Sequence, residues 1–201
     1  MISAFSRQAD LTSNQVVDGI NISAFLQGWN INGDGTLVNH NRIHPDYMCT
    51  DVHNLQAVCL FALAGHAPPQ SALHNQALVY SALTSKAFAA PPYAAPGGTI
   101  YRTNSPALYY PQGNDWGSGR RMHAATADVM IGALGLASGT DTWALLHGRE
   151  VARMQARSTT GQTYTATAED TYAGREQWVA MYAAWAWLAL WVVSTGKYVP
   201  G

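Results

Sequence analysis

Apolar residues recur at helical spacing from 47 to 63, and Gly65 followed by Pro68-Pro69 ends that run. A second such run spans 71–88 and stops at Pro91-Pro92. Small residues dominate a third, 119–137. A fourth covers 141–157 and a fifth 169–195. Between the second and third, residues 89–116 are rich in Pro, Gly, Tyr and Asn and read as one long loop, with a short extended piece at 99–103. Loops of that length in a compact domain are usually functional or mobile. Helix following helix with short breaks predicts an all-α fold of antiparallel helical hairpins, in a single domain of 201 residues. The stretch QWVAMYAAWAWLALWVV, 177–193, carries no charge. A membrane helix needs about 20 apolar residues and cationic flanks. A buried inner helix, apolar all round, explains the stretch with fewer assumptions.

Composition changes this picture in two ways. The formal net charge is -1, which gives no electrostatic attraction to nucleic acid or to an anionic membrane surface. Charged residues make up only 11%, against roughly 25% in ordinary soluble domains. So sparse a charge suggests that other surfaces are covered, by a missing portion of a larger fold or by another copy. Arg outnumbers Lys nine to two, and Arg is the better fork for carboxylates. Cys49 and Cys59, ten residues apart on one predicted helix, stand about 15 Å apart along its axis and cannot bridge. Both are expected to be buried free thiols. The N-terminal MISAFSRQADLTSNQ lacks an apolar core of signal-peptide length.

Candidate chemistry gathers in two polar clusters. In GWNINGDGTLVNH, continued by NRIHPDYM, glycines at 33 and 35 let the chain bend so that Asn39, His40, His44 and Tyr47 converge. Imidazole and phenol groups brought together suit proton transfer. The second cluster, YYPQGNDWGSGRRMH, offers the flat faces of Tyr109, Tyr110 and Trp116 for sugar rings. It also offers Asn114, Asp115, Arg120, Arg121 and His123 for polar contacts. A third group, Glu169, Asp170, Tyr172, Arg175 and Glu176, starts the last predicted helix, where acids suit the helix dipole. No metal is expected: His40 and His44 share a face only on a helix, and Pro45 argues against one there.

The segment GWNINGDGTLVNH resembles a motif of the α/α-toroid polysaccharide lyases, the chondroitin AC, hyaluronate and xanthan lyases: glycine-aromatic, then Asp-Gly-Ser, then His, with a Tyr shortly after. The resemblance covers residues 28–48. It implies part of an (α/α) toroid, about half of one since five or six helices make three hairpins. It further implies β-elimination on an acidic, uronate-containing polysaccharide, and secretion if the chain is a piece of a larger lyase. His40 falls on the family's catalytic His and Tyr47 lies near its catalytic Tyr. Asn114 with Arg120 or Arg121 would bind the uronate carboxylate. Asn39, His44, Tyr110, Asp115, Trp116, Arg121 and His123 would contact substrate, with no cofactor. Partners would be the polysaccharide and either the missing half of the toroid or a second copy. Two alternatives remain. One is a toroid glycoside hydrolase drawing a carboxylate pair from Asp34, Asp46, Asp115 and Glu169. The other is a carbohydrate-binding or scaffold module without chemistry.

Overall fold

A computed structural model describes residues 2–200. Of its residues, 47% are helical, 3-10 turns included, and 11% lie in strands. The helices are α1 (Pro45–Met48), α2 (Val52–Leu63), α3 (Gln76–Ser85), α4 (Arg121–Ala133), α5 (Thr140–Ala156) and α6 (Glu176–Ser194). The predominantly helical class therefore holds. The chain also forms four two-stranded antiparallel hairpins: β1–β2 (Val16–Val17, Ile20–Asn21), β3–β4 (Val38–Asn39, Arg42–Ile43), β5–β6 (Ala87–Phe88, Gly98–Thr99) and β7–β8 (Tyr101–Arg102, Ser105–Leu108). Three of these strands fall within 89–116, so that segment is a folded pair of hairpins rather than one long loop.

Helix α4 is the centre of the fold. Nine of its thirteen residues are buried, and it packs against α5, α6, α2 and α3. Ala124, Ala127 and Gly132 let neighbours approach closely. A Cβ at Gly132 would stand 2.0 Å from Thr140 Oγ1, the first residue of α5. The sequence had pointed to α6 as the buried inner helix, and here the structure differs. Only Val179, Tyr182, Ala189 and Val192 of α6 are buried, while Trp187 and Leu190 are 62% and 53% exposed. Trp185 and Leu188, expected inside, are half-buried. Bulky indoles keep α6 at the periphery, and the small side chains of α4 fill the middle. On the adjoining α2, Leu60, Phe61 and Leu63 are exposed as well. Cys49 and Cys59 are buried free thiols.

The interior carries acid groups. Tyr80 on α3 donates to Asp128 Oδ1 at 2.9 Å, and His147 on α5 bonds Asp128 Oδ2 at 2.7 Å, so one α4 carboxylate ties three helices together. Asp51, at the entry to α2, is fully buried and its two oxygens lack a well-formed hydrogen bond. Burial, with the Asp128 charge nearby, pushes its pKa up to about 8 against the pull of the Val52 amide. A carboxyl raised in the folded state adds stability below its unfolded value near 3.8, and that stability is lost as pH climbs toward 8. Replacing Asp51 by Asn should remove this slope. Denaturant titrations of both proteins should show the variant more stable at pH 8 by at least about 1 kcal/mol, one pKa unit being worth about 1.4 kcal/mol. The two should converge near pH 4; parallel pH profiles would contradict the assignment.

Candidate functional site

The Asp-Gly turn works as the sequence suggests, through one glycine. Gly35 has φ +84°, and a Cβ there would stand 2.5 Å from the Leu78 carbonyl of α3. Asp34 accepts from the Thr36 amide at 3.0 Å and its hydroxyl at 2.7 Å, closing the turn. Seated on α3, the chain enters β3 and reverses through a two-residue hairpin whose loop is His40-Asn41, with φ +51° and +57°. Both values fall in the left-handed region that a type I′ hairpin turn requires. Glycine and asparagine are the usual occupants there, so a histidine is held in an uncommon backbone conformation at the tip. Asn39 pairs with Arg42 at the hairpin base, and Arg42 Nε donates to the His40 carbonyl at 3.2 Å.

Beyond the hairpin the chain turns into α1, whose first residue is Pro45. This short turn sends three neighbours to two different environments. His44 and Asp46 point inward and are buried at 1% exposure, while Tyr47 is half-buried. Asp46 then reaches the second cluster. Its Oδ1 accepts from Tyr110 Oη at 3.1 Å and its Oδ2 from Asn114 Nδ2 at 3.0 Å. The Ile43 amide donates to Gln112 Oε1 at 2.7 Å. Segments some seventy residues apart in sequence are thereby locked together. Burial pushes the Asp46 pKa up to about 6, opposed by the Arg120 charge and by its two hydrogen bonds.

The two clusters meet around Asp115. Its Oδ2 lies 2.7 Å from His40 Nδ1 and its Oδ1 lies 3.4 Å from His44 Nε2. The His40 hydrogen bond holds the exposed Asp115 carboxyl below its ordinary range. His44 is the opposite case: burial, helped by the charges of His40 and Arg120, lowers its pKa to about 4 despite Asp115, so its ring stays neutral at pH 7. Trp116 is the hub of the aromatic packing. Its ring centroid lies 5.2 Å from that of His40, 5.0 Å from His44 and 4.5 Å from Tyr47, and the Arg120 guanidinium sits 4.5 Å above it. Burial, with Asp115 and Tyr172 nearby, raises the Tyr47 phenol above its usual value, so it keeps its proton.

Several expected substrate contacts are instead engaged with the protein. Asn114 donates to Asp46 and to the Gly117 carbonyl, and its own oxygen accepts from the Trp116 amide at 3.2 Å. Arg120 is 2% exposed and pairs with Asp170 at 2.8 Å. Trp116 lies against both Arg120 and Tyr47, which makes it a scaffold rather than an open platform. Arg121 is half-buried without an ion pair among the described residues, its charge acting on Asp46, Tyr110 and Glu150. His123 lies inside, 4.4 Å from the Tyr182 ring, and burial drives its pKa down to about 3. It faces α6, not the His40 cluster. Arg120, Arg121 and His123 share one cause: they stand at the entry to the central helix, so their side chains are drawn toward the interior.

Sequence reasoning missed the third segment's part. The Ser118 and Gly119 amides donate to the carbonyls of Ala168 and Glu169 at 2.9 and 2.7 Å, and Thr171 N donates to Trp116 O at 2.9 Å. That seam carries an exposed ledge outward from Trp116, with Arg175 over Tyr172 at 4.3 Å and over Trp178 at 5.3 Å. The signal was present in the glycines of GSG. The metal expectation rested on spacing along the chain, which shows His40 and His44 but not the third donor, Asp115, 71 residues beyond His44. The larger concavities lie elsewhere: one of about 310 Å³ between Thr103, Trp143 and Arg149 has no acid or imidazole in its lining.

Gly117 tests the seam. At φ +88°, a Cβ there would meet the Glu169 carbonyl carbon at 2.6 Å. Gly117→Ala should therefore cost more than about 1 kcal/mol in a denaturant titration, through both the backbone strain and the displaced seam. An unchanged midpoint would show that the seam is not closed in solution. Comparison with family models, with curated proteins and with solved structures finds no match to this chain, and the reading of its function rests on the chemistry of the cluster itself.

Proposed function

We propose that the chain is a carbohydrate-active enzyme, a polysaccharide lyase that cleaves a uronate-containing polymer by β-elimination. One observation carries the reading: an exposed imidazole, His40, bonded through Nδ1 to a carboxylate and packed beside a phenol that keeps its proton. With Nδ1–H donating to Asp115, the His40 lone pair is on Nε2, and Asp115 stabilises the imidazolium formed when that nitrogen accepts a proton. The proton removed is the one beside the uronate carboxylate. The electron pair left behind forms a carbon–carbon double bond as the glycosidic oxygen departs, and Tyr47 supplies the proton that oxygen needs. Base and acid then sit in one cluster, their ring centroids 5.7 Å apart.

Burial of Arg120 changes the assignment of the carboxylate binder. Arg175, exposed on its ledge and stacked on the exposed rings of Tyr172 and Trp178, offers a cation with aromatic neighbours at the surface. Asn114, Arg120, Tyr110 and Trp116 then act as positioning residues. The carboxylate-pair hydrolase is less well supported. Asp34 is ion-paired with Lys86 at 2.9 Å and Glu169 with Arg157, while Asp46 is buried behind its two donors. A partial toroid remains the finer fold reading, with the exposed apolar side of α2 and α6 as the face on which further helices, or a second copy, would pack.

Incubation with a panel of uronate polymers tests the reading. A lyase gives a product with new absorbance near the ultraviolet edge, a hydrolase gives reducing ends without it, and a binding module gives neither. In the lyase case His40→Ala should lower turnover by about 10²–10⁴ with the melting temperature little changed, because the ring is exposed. Reducing ends alone, or unchanged turnover in the variant, would overturn the assignment.

A further inference from the structure

The donors around Asp115 have a second chemistry. One ligand atom each from His40, His44 and Asp115 can be chosen so that all lie within 4.8 Å of one another. Donors bound to one ion at about 2.0–2.2 Å stand at most about 4.4 Å apart, so a small shift of the two exposed side chains brings the trio to bonding distance. Each donor is braced by different means: His40 by the left-handed hairpin tip, His44 by burial against Trp116 and Tyr47, and Asp115 by the Asn114 and Thr171 contacts of its loop. A carboxylate that reaches two imidazoles from opposite oxygens pulls both rings toward one point.

We propose that His40, His44 and Asp115 form a binding site for a divalent transition-metal ion of the zinc class, with a coordination position left open on the solvent side. Two imidazoles with one carboxylate suit zinc, cobalt, nickel or iron(II) rather than calcium or magnesium, which prefer all-oxygen sets. Three protein ligands with an open position mark a site that takes up a further oxygen ligand, unlike the closed four-ligand set of a structural site. His40 and Asp115 are the exposed members of the trio, 37% and 38% accessible, so the opening faces outward beside Tyr47. A uronate carboxylate is an oxygen ligand that fits it.

The binding claim stands without the lyase reading; only the identity of the further ligand rests on it. A neutral imidazole has one lone pair, so an ion on His40 Nδ1 leaves Nε2 protonated and unable to accept. Metal-bound and base-active His40 are therefore mutually exclusive states of one side chain.

The test is a titration of the tag-free, chelator-treated full chain with Zn²⁺ by calorimetry, repeated with Co²⁺ read by its visible absorption. Neither uses substrate, so failure of the lyase assay leaves this result intact and failure here leaves that assay intact. One ion per chain is expected, with an imidazole-coordinated Co²⁺ spectrum. His40→Ala, whose ring is exposed and whose loss leaves the core untouched, should weaken binding at least about tenfold, and Asp115→Asn should do the same. Circular dichroism of both variants establishes that they remain folded. Absence of binding to the wild-type chain would overturn the site. So would binding whose stoichiometry and affinity survive both substitutions, since the ion would then be held by other histidines.

Discussion

The buried carboxylate of Asp46 is the constraint on which the rest of the site depends. A carboxyl group taken out of water is costly unless its lone pairs are met, and Asp46 meets them with donors from a segment more than sixty residues downstream, Tyr110 and Asn114. The two sequence clusters thereby stop being two loops and become one surface. In the proposed reading the acid and the carboxylate that supports the base each stand one residue from this clasp: Tyr47 follows Asp46 within α1, and Asp115 follows Asn114. The positions of the exposed reactive groups are set by a group that itself never meets solvent, which is how a surface site acquires a rigid base.

A second constraint fixes the other side. Gly117 and Gly119 let the 114–119 turn lie directly on the 168–171 backbone, and Arg120 reaches through to Asp170. Arg120 thus serves three purposes at once: it neutralises a buried acid, covers Trp116, and adds positive potential that helps keep His44 neutral. A guanidinium so engaged is a poor choice for capturing substrate. In the proposed reading that role passes to exposed groups on the same seam, among which Arg175 has aromatic neighbours.

Much of this was legible in the chain. The helices at 52–63, 121–133, 140–156 and 176–194 follow from apolar periodicity and Gly/Pro punctuation, and the convergence of His40, His44 and Tyr47 follows from packing turn-forming and polar residues into one short segment. What was not legible is which polar group faces in. Asn114 and Asp115 are adjacent and chemically similar, yet Asn114 is turned inward onto Asp46 and the Gly117 carbonyl while Asp115 is exposed beside His40, a difference set by the local turn rather than by residue type. Nor does periodicity distinguish α4 from α6 as the central helix. Hydrophobicity favoured α6, but close packing selects small side chains, and that is a matter of volume rather than polarity.

Coupling between Asp46 and Asn114 tests the central claim most directly. In a double-mutant cycle built from Asp46→Ala, Asn114→Ala and the double variant, unfolding free energies measured in denaturant should show an interaction of about 1 kcal/mol or more, as expected for partners in one buried network. Effects that add to within about 0.3–0.5 kcal/mol would mean that the two residues act independently. The clusters would then not be joined through Asp46, and the site built on that junction would have no foundation.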